Sequence, residues 1–249
     1  MRAARALSWI EFKLFLREPV TVVFTVALPP IVLYVLAEVF GNTPDPQGQF
    51  YRGVGAVTFY TPAYVGLVIA SLGLIGLPVH LAAYRERGVL RRFRAARVPL
   101  RALLASQLFV LLVGTVAGAV IIVVLARVTY DVGWPASWLG VVFATLLGAL
   151  SFAAVGALIG LAMPNARAAQ GLGVLLWFVM MMVSGSGPPP EVLGTALGRV
   201  GAAMPLRHLV VALQDPWFGR GVNWFETLVL AAILVAATAL AVPALRRRS

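Results

Sequence analysis

The chain has 249 residues, of which 61% are hydrophobic and 12% charged, with a formal net charge of +11 and a mean hydropathy of +0.92. So little charge is not enough to cover a water-facing surface of this size, and points to a bilayer as the solvent. Cysteine is absent and there are two histidines, which excludes a disulfide framework, a thiolate site or nucleophile and a His-rich metal cluster. Lys13 is the sole lysine and no glycine precedes it, so the Gly-rich turn ending in Gly-Lys-Ser/Thr that holds nucleotide phosphates is missing. If the protein's cycle runs on ATP, a second polypeptide hydrolyses it.

In chain order, residues 1–19 come first. Within Ala4–Arg17, Leu7, Trp9, Ile10, Phe12, Leu14, Phe15 and Leu16 lie among charges and make two apolar sides at 100° per residue. This fits a helix lying in the membrane interface, and equally a snorkelling flank to the first span. Pro19 suits the first turn of the helix that follows. The following apolar run is too long for a signal peptide, contains Pro29-Pro30 and lacks a small-residue cleavage site, so it is expected to be retained.

Burying a charge in hydrocarbon is costly, so runs without Asp, Glu, Lys or Arg locate the spans. Six such runs reach 19 residues or more: 19–37, 53–84, 102–126, 132–166, 168–190 and 227–245. About 20 helical residues cross a core of roughly 30 Å. Helices are therefore expected near 20–40, 58–83, 103–126, 139–162, 170–187 and 225–244. The runs are continuously apolar rather than alternating, which argues against strands. The predicted fold is an all-α membrane protein with six transmembrane helices.

Cytoplasmic segments gather Lys and Arg. With both termini inside, the inner segments hold 15 basic residues, seven of them between Arg85 and Arg101, and the outer segments hold 5. The acids run the other way, with only Glu11, Glu18 and Glu86 inside. The excess positive charge is thus inner-leaflet charge, and nucleic acid is a poor reading of it. The expected location is the cytoplasmic membrane, multi-pass, in contact with its lipids.

Between spans two and three, Tyr84–Pro99 reads as a short amphipathic helix closed by proline, with Val89, Leu90, Phe93 and Ala96 on one side and Arg91, Arg92 and Arg94 elsewhere. It is either a basic patch on anionic lipid or a helix whose apolar knobs dock into a partner protein. Between spans five and six, residues 188–223 contain an apolar stretch, Val192–Leu213, broken by Pro205. That stretch is too interrupted to span and too apolar for a solvated loop. A re-entrant helical hairpin dipping into the outer leaflet fits it.

These segments, in this order, carry a resemblance that covers nearly the whole chain. Arg17-Glu18-Pro19 before a span with Pro29 resembles the Arg-x-Pro approach to span one of ABC-2 type permeases, including their drug-exporter branch. Tyr60-Thr61-Pro62-Ala63 is similar to the family's Pro-Gly start of span two, with alanine replacing glycine. Glu86-x-Gly88-x-Leu90 followed by Pro99 resembles its Glu-x-Gly-Thr-Leu…Pro coupling segment, with Val89 where threonine is usual. Ser184-Gly185 with Pro188, then Pro205-Leu206-Arg207-His208, resembles the Ser-Gly…Pro and Pro-Leu-x-His signatures.

The resemblance implies a single transmembrane domain over 1–249. It comprises an N-terminal interface helix (1–19), spans one and two (20–84), a cytoplasmic coupling helix (85–101), spans three to five (102–187), the outer re-entrant segment (188–223), and span six with a basic tail (224–249). It also implies two copies of a separate ABC ATPase that binds ATP and Mg²⁺, and a second permease copy or paralogue. This chain would then hold no cofactor or metal and no catalytic residue. Glu86, Gly88, Leu90, Phe93 and Pro99 would form the coupling element, with Glu86 capping or pairing at its start. Pro188, Pro205 and His208 would belong to the outer segment, His208 as a helix-end or interface residue.

Two other function classes fit poorly. An ion-coupled carrier places ionisable groups at mid-membrane, whereas Glu38 and Glu226 lie near outer span ends and His80 near an inner one. A membrane enzyme needs paired acids, a metal site or a nucleophile beside a base.

For cargo, span five carries Gly173, Trp177, Met181 and Ser184 at helical spacing, with Phe178 and Met182 beside them, and span two carries Tyr60, Tyr64 and Ser71. Such stripes are commonly helix packing, but Met and aromatic faces also suit varied apolar shapes. The expected substrate path is Tyr60, Tyr64, Trp177, Met181 and Met182. The expected cargo is a drug-like compound, as in antibiotic resistance by export, or a lipid, with a glycan as the alternative.

Overall fold

The computed structural model describes Lys13, Arg17 and residues 19–44, 47–89, 92 and 100–248. The expected interface helix over 1–19, and Leu90, Phe93 and Pro99 of the expected coupling element, lie outside these. Eight helices are described: α1 Pro19–Phe40, α2 Ala56–Glu86, α3 Leu100–Tyr130, α4 Trp138–Ala162, α5 Ala166–Val183, α6 Thr195–Ala202, α7 Pro205–Trp217 and α8 Trp224–Arg248. Six of them, α1 to α5 and α8, are long and apolar enough to cross a membrane, and no strand occurs among the described residues. This is the predicted all-α membrane fold. Large apolar side chains such as Ile31, Val116, Leu139, Leu228 and Leu240 are exposed on the outside of the bundle, where hydrocarbon rather than water suits them.

The spans are a few residues longer or shifted relative to expectation, because capping groups rather than charges fix their ends. Helix α5 starts at Ala166, not near 170, since the Asn165 side chain accepts from Ala168 N at 2.8 Å. It ends at Val183, where Gly185 takes a φ of +91° that turns the chain away. The expected break at Pro205 is present: α6 and α7 meet there at 81°, with the proline opening α7.

Helix α2 is the axis of the molecule, buried along its whole apolar length and packed by α1, α3, α4, α5 and α7. Three prolines shape its neighbourhood. Pro29 and Pro30 in α1, and Pro78 in α2, have no N–H to return to the preceding turn, and in each helix a π-helical turn comes just before: Val23–Ala27 and Leu72–Gly76. The two widened turns lie together, tied by a hydrogen bond between the Thr25 and Ser71 hydroxyls at 2.9 Å. The Leu74 carbonyl, which Pro78 cannot bond, faces Gly173 of α5, and the Gly73 carbonyl faces Gly156 of α4. A Cβ at either glycine would overlap the carbonyl. Small residues thus let three helices approach backbone to backbone, as apolar bundles in lipid require. Helix α8 packs on α4, where Ser151 Oγ donates to Leu230 O at 2.9 Å.

The helices alternate between two ends. One end gathers Arg85, Glu86 and Arg167, and is called the basic end below. The far end gathers the α1–α2, α3–α4 and α5–α8 connections. There Asn42 satisfies the first turn of α2, accepting from Thr58 N at 2.9 Å, and donates to Tyr130 O at 3.3 Å.

Candidate functional site

At the basic end, α2 clamps the α4–α5 connection. The Arg85 guanidinium donates from one nitrogen to the carbonyls of Gly160, Leu161 and Met163 at 2.8, 2.7 and 2.9 Å. These belong to the C-terminus of α4, whose last carbonyls have no helical partner and whose dipole favours a cation. The next residue, Glu86, accepts from Ala166 N at 3.2 Å and so caps the start of α5. Glu86 therefore reaches across to cap a neighbouring span. Gly88 has a φ of +67°, which an L side chain rarely adopts, and Arg92 N donates to Gly88 O at 3.3 Å.

At the far end, α1, α2 and the end of α5 enclose an apolar cavity of about 790 Å³. Four of the five expected path residues line it: Tyr60, Tyr64, Met181 and Met182. Pro188 joins them. Trp177 does not. Its ring is fully buried, its Nε1 donates to Leu67 O at 3.2 Å, and it meets the Phe24 ring edge-on at 4.9 Å. It packs α5 onto α1 and α2, although it shares a helical stripe with Met181. Gly173 on the same stripe is a packing position too.

The cavity's aromatic wall is a ladder. The Tyr60 and Tyr64 rings stack at 5.6 Å, and Tyr51 meets Tyr60 at 5.9 Å. Tyr60 Oη donates to Gly187 O at 2.8 Å. The Tyr64 hydroxyl is buried with no hydrogen-bond partner among the described residues, and an unpaired buried hydroxyl is costly unless something accepts from it. Burial, and then the Glu191 carboxylate, raise the Tyr51 phenol above its ordinary pKa, so it stays neutral at physiological pH.

A polar network that the sequence reading did not single out holds this wall. Tyr51 and Arg52 both have φ above +50°, a strained conformation for residues with side chains. Arg52 is fixed by bonds to Gln214 Oε1 at 3.0 Å and to Asp215 Oδ1 at 2.5 Å, and its carbonyl accepts from Arg220 at 2.6 Å. Asn223 donates to the other Asp215 oxygen at 2.7 Å. Nearby, His208 of α7 pairs through Nδ1 with Glu226 of α8. Among the described residues no group of His, Asp and Glu has the arrangement to hold a metal ion.

The comparisons with known proteins agree with this architecture. The family model described as "ABC-2 type transporter" matches residues 2–218. A Bacillus subtilis (strain 168) protein named "Putative transport permease YvfS" is 24% identical over 237 residues, which is 94% of each chain. The family match spans most of the chain, and the chain belongs to the ABC-2 type transporter family as a multi-pass transport permease.

Proposed function

We propose that this chain is the permease subunit of an ATP-driven exporter for an amphiphilic or hydrophobic cargo, a drug-like compound or a lipid. Permeases of this family normally work with an ABC ATPase. In this reading two copies of that ATPase bind ATP and Mg²⁺ and meet the basic end at residues 85–101, and a second permease, identical or paralogous, completes the path. The basic end and both termini are cytoplasmic, as the 15-to-5 split of basic residues supports.

The observation that carries the cargo class is the cavity of about 790 Å³ walled by Tyr60, Tyr64, Met181 and Met182. Its volume is in the range of drug-sized sites, and its lining is mostly apolar, with the buried Tyr64 hydroxyl unpaired among the described residues. Met and aromatic walls adapt to varied apolar shapes. A glycan would need many hydrogen-bond partners that this cavity does not offer.

The test is co-expression with candidate ATPases, reconstitution, and ATP-dependent transport of a fluorescent amphiphile beside a labelled oligosaccharide. Tyr60→Ala and Met181→Ala should lower amphiphile transport while the complex still assembles. Oligosaccharide transport, or amphiphile transport untouched by both substitutions, would sink the cargo assignment.

A further inference from the structure

Beside the apolar cavity lies a second one of about 300 Å³, room for roughly ten waters, and its walls are polar. The two cavities divide the residues of one wall: Ser186, Pro189 and Val192 line the apolar one, while Ser184, Pro190 and Glu191 line the polar one. On the α2 side Tyr60 lines the first and Phe59 the second.

The polar cavity is built on two side-chain pairs, Arg52 with Asp215 and Glu226 with His208. Arg52 lines it and is held by Asp215, whose side chain is 8% exposed, and by Gln214. Glu226 lines it and is held by His208, their side chains being 14% and 10% exposed. Two further ions line the same space, Arg207 from α7 and Glu191 from the turn Pro190–Val192. Among the described residues neither makes a hydrogen bond or ion pair through its side chain, and they do not pair with each other. An unpaired charge on a convex surface is solvated and unremarkable. One of each sign lining a shared concavity offers a cation to an anionic group and an anion to a cationic one.

We propose that this cavity binds a zwitterionic headgroup, a phosphate with a tethered ammonium. Arg207 takes the phosphate and Glu191 the ammonium, while the apolar part of the same amphiphile lies in the neighbouring cavity. The inference rests on the amphiphile reading above and adds the headgroup class to it.

The test uses the full chain in a non-ionic detergent, with native mass spectrometry reading bound ligand. Three probes are compared: a single-chain phosphoethanolamine lipid, a monoacylglycerol of the same chain, and free phosphoethanolamine. The charged lipid should bind about tenfold tighter than the monoacylglycerol. Arg207→Gln and, separately, Glu191→Gln should abolish most of that difference and leave monoacylglycerol binding unchanged, and Arg207→Lys should restore part of it. Glu191 lies on an exposed turn, so its substitution keeps the test open if the α7 variant folds poorly. Equal binding of the two lipids, or discrimination that survives both substitutions, overturns the headgroup assignment alone. Free phosphoethanolamine binding as tightly as its lipid would show a site for a soluble zwitterion and also overturns it. If neither lipid binds, the amphiphile reading itself falls.

Discussion

The Arg85 guanidinium donates to the Leu161 carbonyl at 2.7 Å, so the last turn of α2 holds the last turn of α4. The bonds to Gly160 and Met163, and the Glu86 cap on α5, make one junction of three helix ends. A push on the segment after Glu86 would reach α2, α4 and α5 together, as the proposed coupling role requires. Arg85→Ala should strip a charged donor from the carbonyls of α4 and cost about 2 kcal/mol, whereas Glu86→Ala should cost about 1 kcal/mol or less. Thermal unfolding of the purified chain measures both. By contrast, Leu90→Ala with Phe93→Ala should leave unfolding unchanged and weaken ATPase binding. If complex formation and transport both survive that pair, the segment is a lipid-facing patch.

The proposed orientation rests on the charge split and is directly measurable. The chain has no cysteine, so single cysteines report without background. A cysteine at Ala95 should be inaccessible to an impermeant maleimide applied to intact cells. One at Gly198, where a Cβ meets open space, should label readily. Labelling of the Ala95 position from outside would invert the topology and with it the assignment of the ATPase face.

Trp177 and Tyr64 separate packing from path. Trp177 is enclosed by Leu67 and Phe24, and Trp177→Ala should leave a large hole, costing about 3–5 kcal/mol and lowering the yield of folded protein. Tyr64→Phe removes only a hydroxyl that has no partner among the described residues. It should keep or slightly raise thermal stability, and change transport for cargoes that carry a hydrogen-bond acceptor. Loss of stability in Tyr64→Phe would mean that the hydroxyl is satisfied within the resting protein.

The spans were legible because one physical rule, the cost of charge in hydrocarbon, acts on each run separately. Their ends were less so: Asn165 and Ser137 set the starts of α5 and α4 by capping, and neither registers in a search for uncharged runs. The break at Pro205 was legible for a local reason too, since proline cannot continue a helix. The site divides along the same line. Tyr60, Tyr64, Met181 and Met182 announce themselves by type and spacing, but Trp177 has the same type and spacing and serves packing. Only the way α5 meets α1 and α2 distinguishes it from Met181. The Arg52–Asp215 pair joins residues 163 positions apart, and no periodicity encodes such a contact. An isolated Arg and an isolated Asp, both in far-end segments amid apolar sequence, were the available signal.

Close helix approach at the π-helical turn of α2 makes a further prediction. Gly173 faces the Leu74 carbonyl, and a Cβ there would overlap it. Backbone cannot rotate aside as a side chain does, so α5 must move. Gly173→Ala should cost about 1–3 kcal/mol by overpacking, more than Gly171→Ala, whose Cβ would meet nothing within 4 Å. Equal stability of the two variants would show that α5 is free to shift, and would remove this contact as a fixed point of the bundle.

The His208–Glu226 pair fixes how the bent α6–α7 segment attaches to α8. Both side chains are mostly buried. The contact is one hydrogen bond between His208 Nδ1 and a Glu226 carboxyl oxygen. The two partners are not equivalent when removed. His208→Ala leaves a largely buried carboxylate with no donor in its place, a penalty of about 2–4 kcal/mol. Glu226→Gln retains an oxygen that accepts from Nδ1 and replaces a charge by a neutral amide, so about 1 kcal/mol is expected. The double variant His208→Ala, Glu226→Gln should then be more stable than His208→Ala alone, because the orphaned charge is gone. Thermal unfolding of the four proteins forms a complete cycle. Additive losses, with no recovery in the double variant, would mean that the carboxylate finds water in the adjoining polar cavity, and that this pair does not anchor α7 to α8.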